Sequence, residues 1–215
     1  MLLAVAIVLA RPFAFGGGIH AAEMTREEAL AGLAERQDVE RRRDAARVLG
    51  ERGQMADVPR LVDALRDPDD AVRAGAERSL WQIWSRSGDA EVDRLLAIGI
   101  EQMQANDGDA AVATFTRVIE RRPDFAEGWN KRATVYYLLG EYEKSLADCD
   151  EVMKRNPWHF GALSGYGMIY VQLGQPERAL DFFERALRVN PNLDSVREAV
   201  ETLQKHLIQR RRNTL

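Results

Sequence analysis

The sequence predicts an all-α protein, a right-handed α-solenoid of helical hairpins, from three observations. Pro123, Pro157 and Pro191 stand 34 residues apart, and the residues between them repeat in register; a fixed period of that size marks stacked supersecondary units. Small and apolar residues recur at intervals of three and four, which gathers them on single helical faces. No strand-like alternation or hairpin-turn signal interrupts the pattern.

Composition limits what such a chain can do. The 215 residues are 46% hydrophobic and 30% charged, and a net charge of -4 argues against broad attraction to nucleic acid. One cysteine, Cys149, and three scattered histidines leave no disulfide framework and no cysteine- or histidine-rich metal site, so no cofactor is expected.

The chain opens on an apolar run, Leu2 to Ala10, followed by Arg11-Pro12, Gly16-Gly17-Gly18 and a small-residue stretch ending at Ala21-Ala22. The run is about half of what a membrane-spanning helix needs. Its order resembles an export signal cleaved near Ala21 or Ala22, although no Lys or Arg precedes it. Residues 1–22 are therefore assigned to export or targeting, which implies a periplasmic or equivalent compartment. A plastid or thylakoid location is the alternative, or a cytoplasmic one if the segment is not a signal.

Residues 25–90 read as helical with a less regular period. Thr25 and Glu28 form a capping box opening a helix that bears Leu30 and Leu33. Arg42, Ala45 and Leu49 recur 31 residues later as Arg73, Ala76 and Leu80. Asp57-Val58-Pro59 opens a helix carrying Leu61, Val62 and Leu65, which Asp67-Pro68 stops. Trp81 and Trp84 are expected to be buried where this region meets the first 34-residue unit, with a role as partner anchors the alternative.

Residues 91–193 hold three copies of the unit. Eight residues before the prolines stand Phe115, Cys149 and Phe183, and four before those Ala111, Ser145 and Ala179; Gly99, Ala133 and Gly167 keep the same register. Small residues sit where two antiparallel helices touch, large ones interlock, and proline closes the second helix. Asn106, Gly140 and Gly174 occupy the turn between the helices, where left-handed backbone is needed. Residues 194–212 carry Val196, Val200, Leu203 and Leu207 as one apolar stripe, suited to a capping helix.

The motifs Trp129-x2-Arg132-Ala133-x2-Tyr136 with Ser145-x3-Cys149, and Leu163-x2-Tyr166-Gly167-x2-Tyr170 with Ala179-x3-Phe183, resemble tetratricopeptide repeats; Leu95 to Phe115 is a weaker copy with Gln102 in place of an aromatic. The region before them is similar to short HEAT-like repeats. Stretches 123–133 and 159–165 resemble small exported tetratricopeptide proteins of proteobacteria and photosynthetic lineages. The resemblance implies a non-catalytic interaction module, a scaffold or assembly factor that holds an extended or helical peptide segment of another protein. A tetrapyrrole lyase-like HEAT protein is the alternative from a different class, and no phosphate-cradling loop, zinc-protease helix or nucleophile elbow is present.

In that family the groove is lined by the first helix of each unit, here by Asn130, Lys131, Thr134 and Tyr137 with Glu127, then by Ser164, Met168 and Val171. Leu96, Ile100 and Met103 occupy the matching face of the first unit and are left open between groove and buried junction. The carboxylate-holding positions of chaperone-binding members carry Leu96, Ile100, Gly161 and Gly165, so that clamp is not expected. Cys149 is read as a packing thiol, and His159 and His206 as surface histidines. The runs Arg41-Arg42-Arg43 and Arg210-Arg211-Arg212 are read as a solvated face and a frayed end, with peripheral contact of Arg210, Arg211 and Arg212 to an anionic membrane as the alternative.

Overall fold

The computed structural model describes residues 24–213, so the apolar start assigned to export lies outside the described residues. Among these, every regular element is helical, and no helix is long and apolar enough to cross a membrane.

Helix α1 (Arg26–Leu33) is opened by the expected capping box: Glu28 N–H donates to Thr25 Oγ1 and Thr25 N–H to Glu28 Oε2. It packs beside α2 (Val39–Arg52), which packs in turn on α4 (Asp70–Trp84), with α3 (Val58–Ala64) between them in sequence. Asp38 and Asp69 cap α2 and α4, each accepting a first-turn amide. Close approach of α2 and α4 depends on small residues: Gly75 lies against Ala46, and Ser79 Oγ donates to Ala46 O at 2.6 Å. The basic run on α2 is not a solvated face as a whole. Arg42 is buried and forks onto Asp67 at 2.7 and 3.2 Å, while Arg43 forks onto Asp69 at 2.9 and 2.6 Å. A planar guanidinium can hold a carboxylate at two points, and these two pairs tie α2 to the loop before α4.

Three hairpins follow: α5 (Ala90–Gln104) with α6 (Gly108–Arg121), α7 (Ala126–Leu138) with α8 (Tyr142–Arg155), and α9 (Phe160–Gln172) with α10 (Pro176–Val189). Each intervening turn passes through one left-handed residue: Asn106 at φ 59°, Gly140 at 75° and Gly174 at 67°. The 34-residue register is explained by how the paired helices meet. A Cβ on Gly99 would stand 2.4 Å from the Phe115 ring, and one on Gly167 would stand 2.4 Å from Phe183, so each aromatic fills the space a glycine leaves. In the middle hairpin Ala133 and Cys149 share the buried cluster, and Ser145 Oγ donates to Ala133 O. Helix α11 (Asp194–Arg212) covers α10, burying Val196 and Val200 against the last hairpin, with Leu203 half-buried beside them.

The N-terminal helices do not close onto the first hairpin, as the sequence reading of Trp81 and Trp84 expected. They turn back onto the third. Phe160 of α9 belongs to the buried cluster of α1 to α4, and Val189 and Leu193 flank it. Arg66 donates to the carbonyls of Val189 (3.3 Å) and Arg188, and Asn192 Nδ2 donates to Leu65 O at 2.8 Å. Those partners lie more than 120 residues apart in the chain, so nothing in the local sequence pattern of α4 marks the contact.

Candidate functional site

The first helices of the hairpins, α5, α7 and α9, are spatial neighbours. Three positions recur along their shared face: Leu96, Asn130 and Ser164; Ile100, Thr134 and Met168; Met103, Tyr137 and Val171. The face divides into two halves of different character.

At the N-terminal ends of α7 and α9 the face is filled. Trp81 and Trp84 of α4 lie over it, both in contact with His159 and Phe160 at ring-centroid distances between 4.6 and 5.4 Å. Trp84 stacks on the His159 imidazole with planes 22° apart. Gly161 makes room for this arrangement, since a Cβ there would sit 2.6 Å from Trp81 Cη2.

Beneath the indoles is a buried polar network. His159 caps α9: the Ala162 N–H donates to Nδ1 at 3.0 Å, which fixes the tautomer and leaves Nε2–H to donate to Glu127 Oε2 at 3.1 Å. Glu127 also receives Asn130 Nδ2 at 3.1 Å and pairs with Lys131 Nζ at 3.0 Å. Burial alone would push the Glu127 carboxyl up, but the Lys131 charge and the His159 hydrogen bond prevail and hold it down at about 2. Glu127 and His159 are both 0% exposed. The expectation of a surface His159 is thus corrected: the turn after Pro157 is covered by α4, and the ring works as a helix cap. A histidine directly before the first residue of α9 is a cap position, a signal the sequence did carry. The covering by Trp81 had none.

From Thr134 on α7 and Ser164 on α9 towards the C-terminal ends of these helices the face is more open. Tyr137 and Met168 are half-buried, and Val171 is 40% exposed. Thr134 Oγ1 and Ser164 Oγ donate back to Asn130 O and Phe160 O within their own helices, so their oxygens keep acceptor capacity. Gln172 Nε2 reaches Tyr137 Oη at 3.4 Å, and the Tyr142 ring stands 5.9 Å from that of Tyr137. Of the candidate residues, then, Asn130 and Lys131 serve the buried network, while Thr134, Tyr137, Ser164, Met168 and Val171 line the open half.

Leu96 and Met103, left open by the sequence, are buried with Val92, Leu95, Phe115, Phe125 and Val135 in the core of the first hairpin and α7, and Ile100 packs beside them. None of the three belongs to the cluster that holds Trp81 and Trp84. Cys149 is buried as expected, and burial, with Asp148 and Asp150 nearby, pushes its thiol up to about 12. Among the described residues no group of His, Cys, Asp and Glu is placed to hold a metal ion.

A tetratricopeptide-repeat family profile matches residues 96–157 and a second matches residues 162–193. A tetratricopeptide repeat-containing protein from Rhizobium etli is 34% identical over 142 residues, 66% of this chain and 69% of that protein. The chain belongs to the tetratricopeptide repeat family. Hsp70-Hsp90 organizing protein 1 from Glycine max is 26% identical over 99 residues, but this chain spans only 17% of it. Among solved structures, the tetratricopeptide domain of Sgt2 from Aspergillus fumigatus superposes with a TM-score of 0.55 at 21% identity, covering 58% of this chain and 83% of that one. The first such domain of Spaghetti, solved with an HSP90 peptide, has a TM-score of 0.53 at 21% identity, covering 56% and 96%. These likenesses are of fold.

Proposed function

We propose that this tetratricopeptide protein is a non-catalytic interaction module whose open half-groove, formed by Thr134, Tyr137, Ser164, Met168 and Val171, holds a short, largely apolar segment of a partner protein. The observation that carries this reading is the state of the groove's polar groups: Lys131 and Asn130 are both committed to Glu127. A groove whose lysine already neutralises a buried carboxylate offers poor reward to an acidic chain end, of the kind that the HSP90 peptide bound to Spaghetti presents. The aromatic, thioether and valine side chains of the open half suit apolar anchors, and the Thr134 and Ser164 oxygens suit backbone N–H donors. Crosslinking the mature protein in its own compartment and identifying the captured chain tests the reading. The Tyr137→Ala, Met168→Ala double variant should fold normally and lose the captured partner; a folded double variant that keeps every partner sinks it.

We further propose that the protein is exported, on the strength of the apolar start and the Ala-rich end of residues 1–22. N-terminal sequencing of protein isolated from cells should find a chain beginning near Ala22, and a chain beginning at Met1 would refute export by cleavage.

A further inference from the structure

The N-terminal helices share a buried cluster with the third hairpin through Phe160, Val189 and Leu193, yet the chain joins the two bodies at a single point. The chain crosses from one body to the other between two adjacent residues. Arg86 donates backwards, to Glu51 O and Gly53 O of the N-terminal helices, whereas Ser87 N–H and Oγ both donate forwards to Asp93 of α5. Gly88 follows at φ 77° with open space around it. Among the described residues, the hydrogen bonds across the contact come from Arg66 and Asn192. Four rings, those of Trp81, Trp84, His159 and Phe160, meet in it, and Trp84 Nε1 is buried there with no acceptor. A donor stripped of water and left unpaired opposes docking. The same α4 also covers the groove face at Gly161, at the end of α9 where Ser164 begins the open half.

We propose that α4 is a displaceable internal ligand of the groove: residues 24–86 swing as one body about Ser87 and Gly88, withdrawing Trp81 and Trp84 from Gly161 and His159 and lengthening the groove by the half they occupy. This rests on the groove reading above, and its test is independent of it, because that reading is tested at Tyr137 and Met168, which α4 does not cover. The partner that profits from opening is a segment bringing an aromatic side chain to Gly161, where the Trp81 ring now lies.

Hydrogen exchange on the full chain tests the proposal without any partner. In the parent, amides of 78–85 and 159–164 should exchange at least tenfold faster than those of 111–119, through an opening smaller than global unfolding. Two variants loosen the contact from opposite sides, Trp81→Ala by removing the ring and Gly161→Ala by wedging it. Both should accelerate exchange in 78–85 and 159–164 by a further tenfold or more while leaving 111–119 unchanged. The Gly161→Ala result is the sharper one, because alanine on its own favours helix α9 and would slow exchange there. Exchange that rises equally in all helices of either variant would show α4 to be a fixed part of one core, and exchange unaltered in both would show that the contact does not govern opening; either outcome overturns the proposal.

Discussion

The Trp84 indole lies on the His159 imidazole, centroids 4.6 Å apart, and the same imidazole caps α9 and donates to a fully buried Glu127. One histidine thus joins the N-terminal helices, the third hairpin and the second. Replacing it should be costly. His159→Ala removes a cap worth about 1 kcal/mol and a hydrogen bond to a charged group worth about 1.5–3 kcal/mol, so urea unfolding should show a loss of about 2.5–4 kcal/mol. His159→Asn, which keeps a cap acceptor, should recover part of it.

Acid should act through Glu127. Its carboxyl is held at about 2 in the fold against an ordinary value of 4.5, so it binds fewer protons folded than unfolded. The stability it contributes is complete above about pH 4.5 and is lost as pH falls towards 2. Glu127→Gln should therefore be less stable than the parent by about 1–3 kcal/mol at neutral pH, and the gap should narrow steadily below pH 4.5. A gap that is constant from pH 7 to pH 3 would show that the charge is not what matters.

The glycines that face aromatic rings should resist alanine even though alanine favours helices. At Gly167 the added Cβ would stand 2.4 Å from Phe183. The overpacking cost of about 1–3 kcal/mol should exceed the gain of about 1 kcal/mol in helix propensity, giving a lower Tm for Gly167→Ala. Shortening the ring in a Gly167→Ala, Phe183→Leu double variant should restore part of the loss.

Cys149 should be chemically silent in the native protein. Only the thiolate attacks, and burial keeps the thiol protonated far above neutral pH. A thiol reagent at pH 8 should label the folded chain at the rate of global opening and the urea-unfolded chain at once. Rapid labelling of folded protein would contradict the burial.

Much of this protein was legible in the sequence because its repeat physics is local. A 34-residue period, glycine facing phenylalanine, and a left-handed residue in each turn are consequences of neighbouring helices meeting, and residues near in sequence suffice to announce them. The face shared by Thr134, Tyr137, Ser164, Met168 and Val171 was legible for the same reason, since their alignment follows from register. The tertiary structure alone decided which half is open. Trp81 and Gly161 lie 80 residues apart, and each looks ordinary in its own helix: an indole at a junction, and a glycine where a clamp residue would stand. Their meaning arises when the N-terminal helices turn back past the first hairpin onto the third, because burial is a property of the final arrangement of surfaces. That same arrangement turned His159 from a turn residue into a cap, and Asn130 and Lys131 from groove contacts into partners of a buried carboxylate.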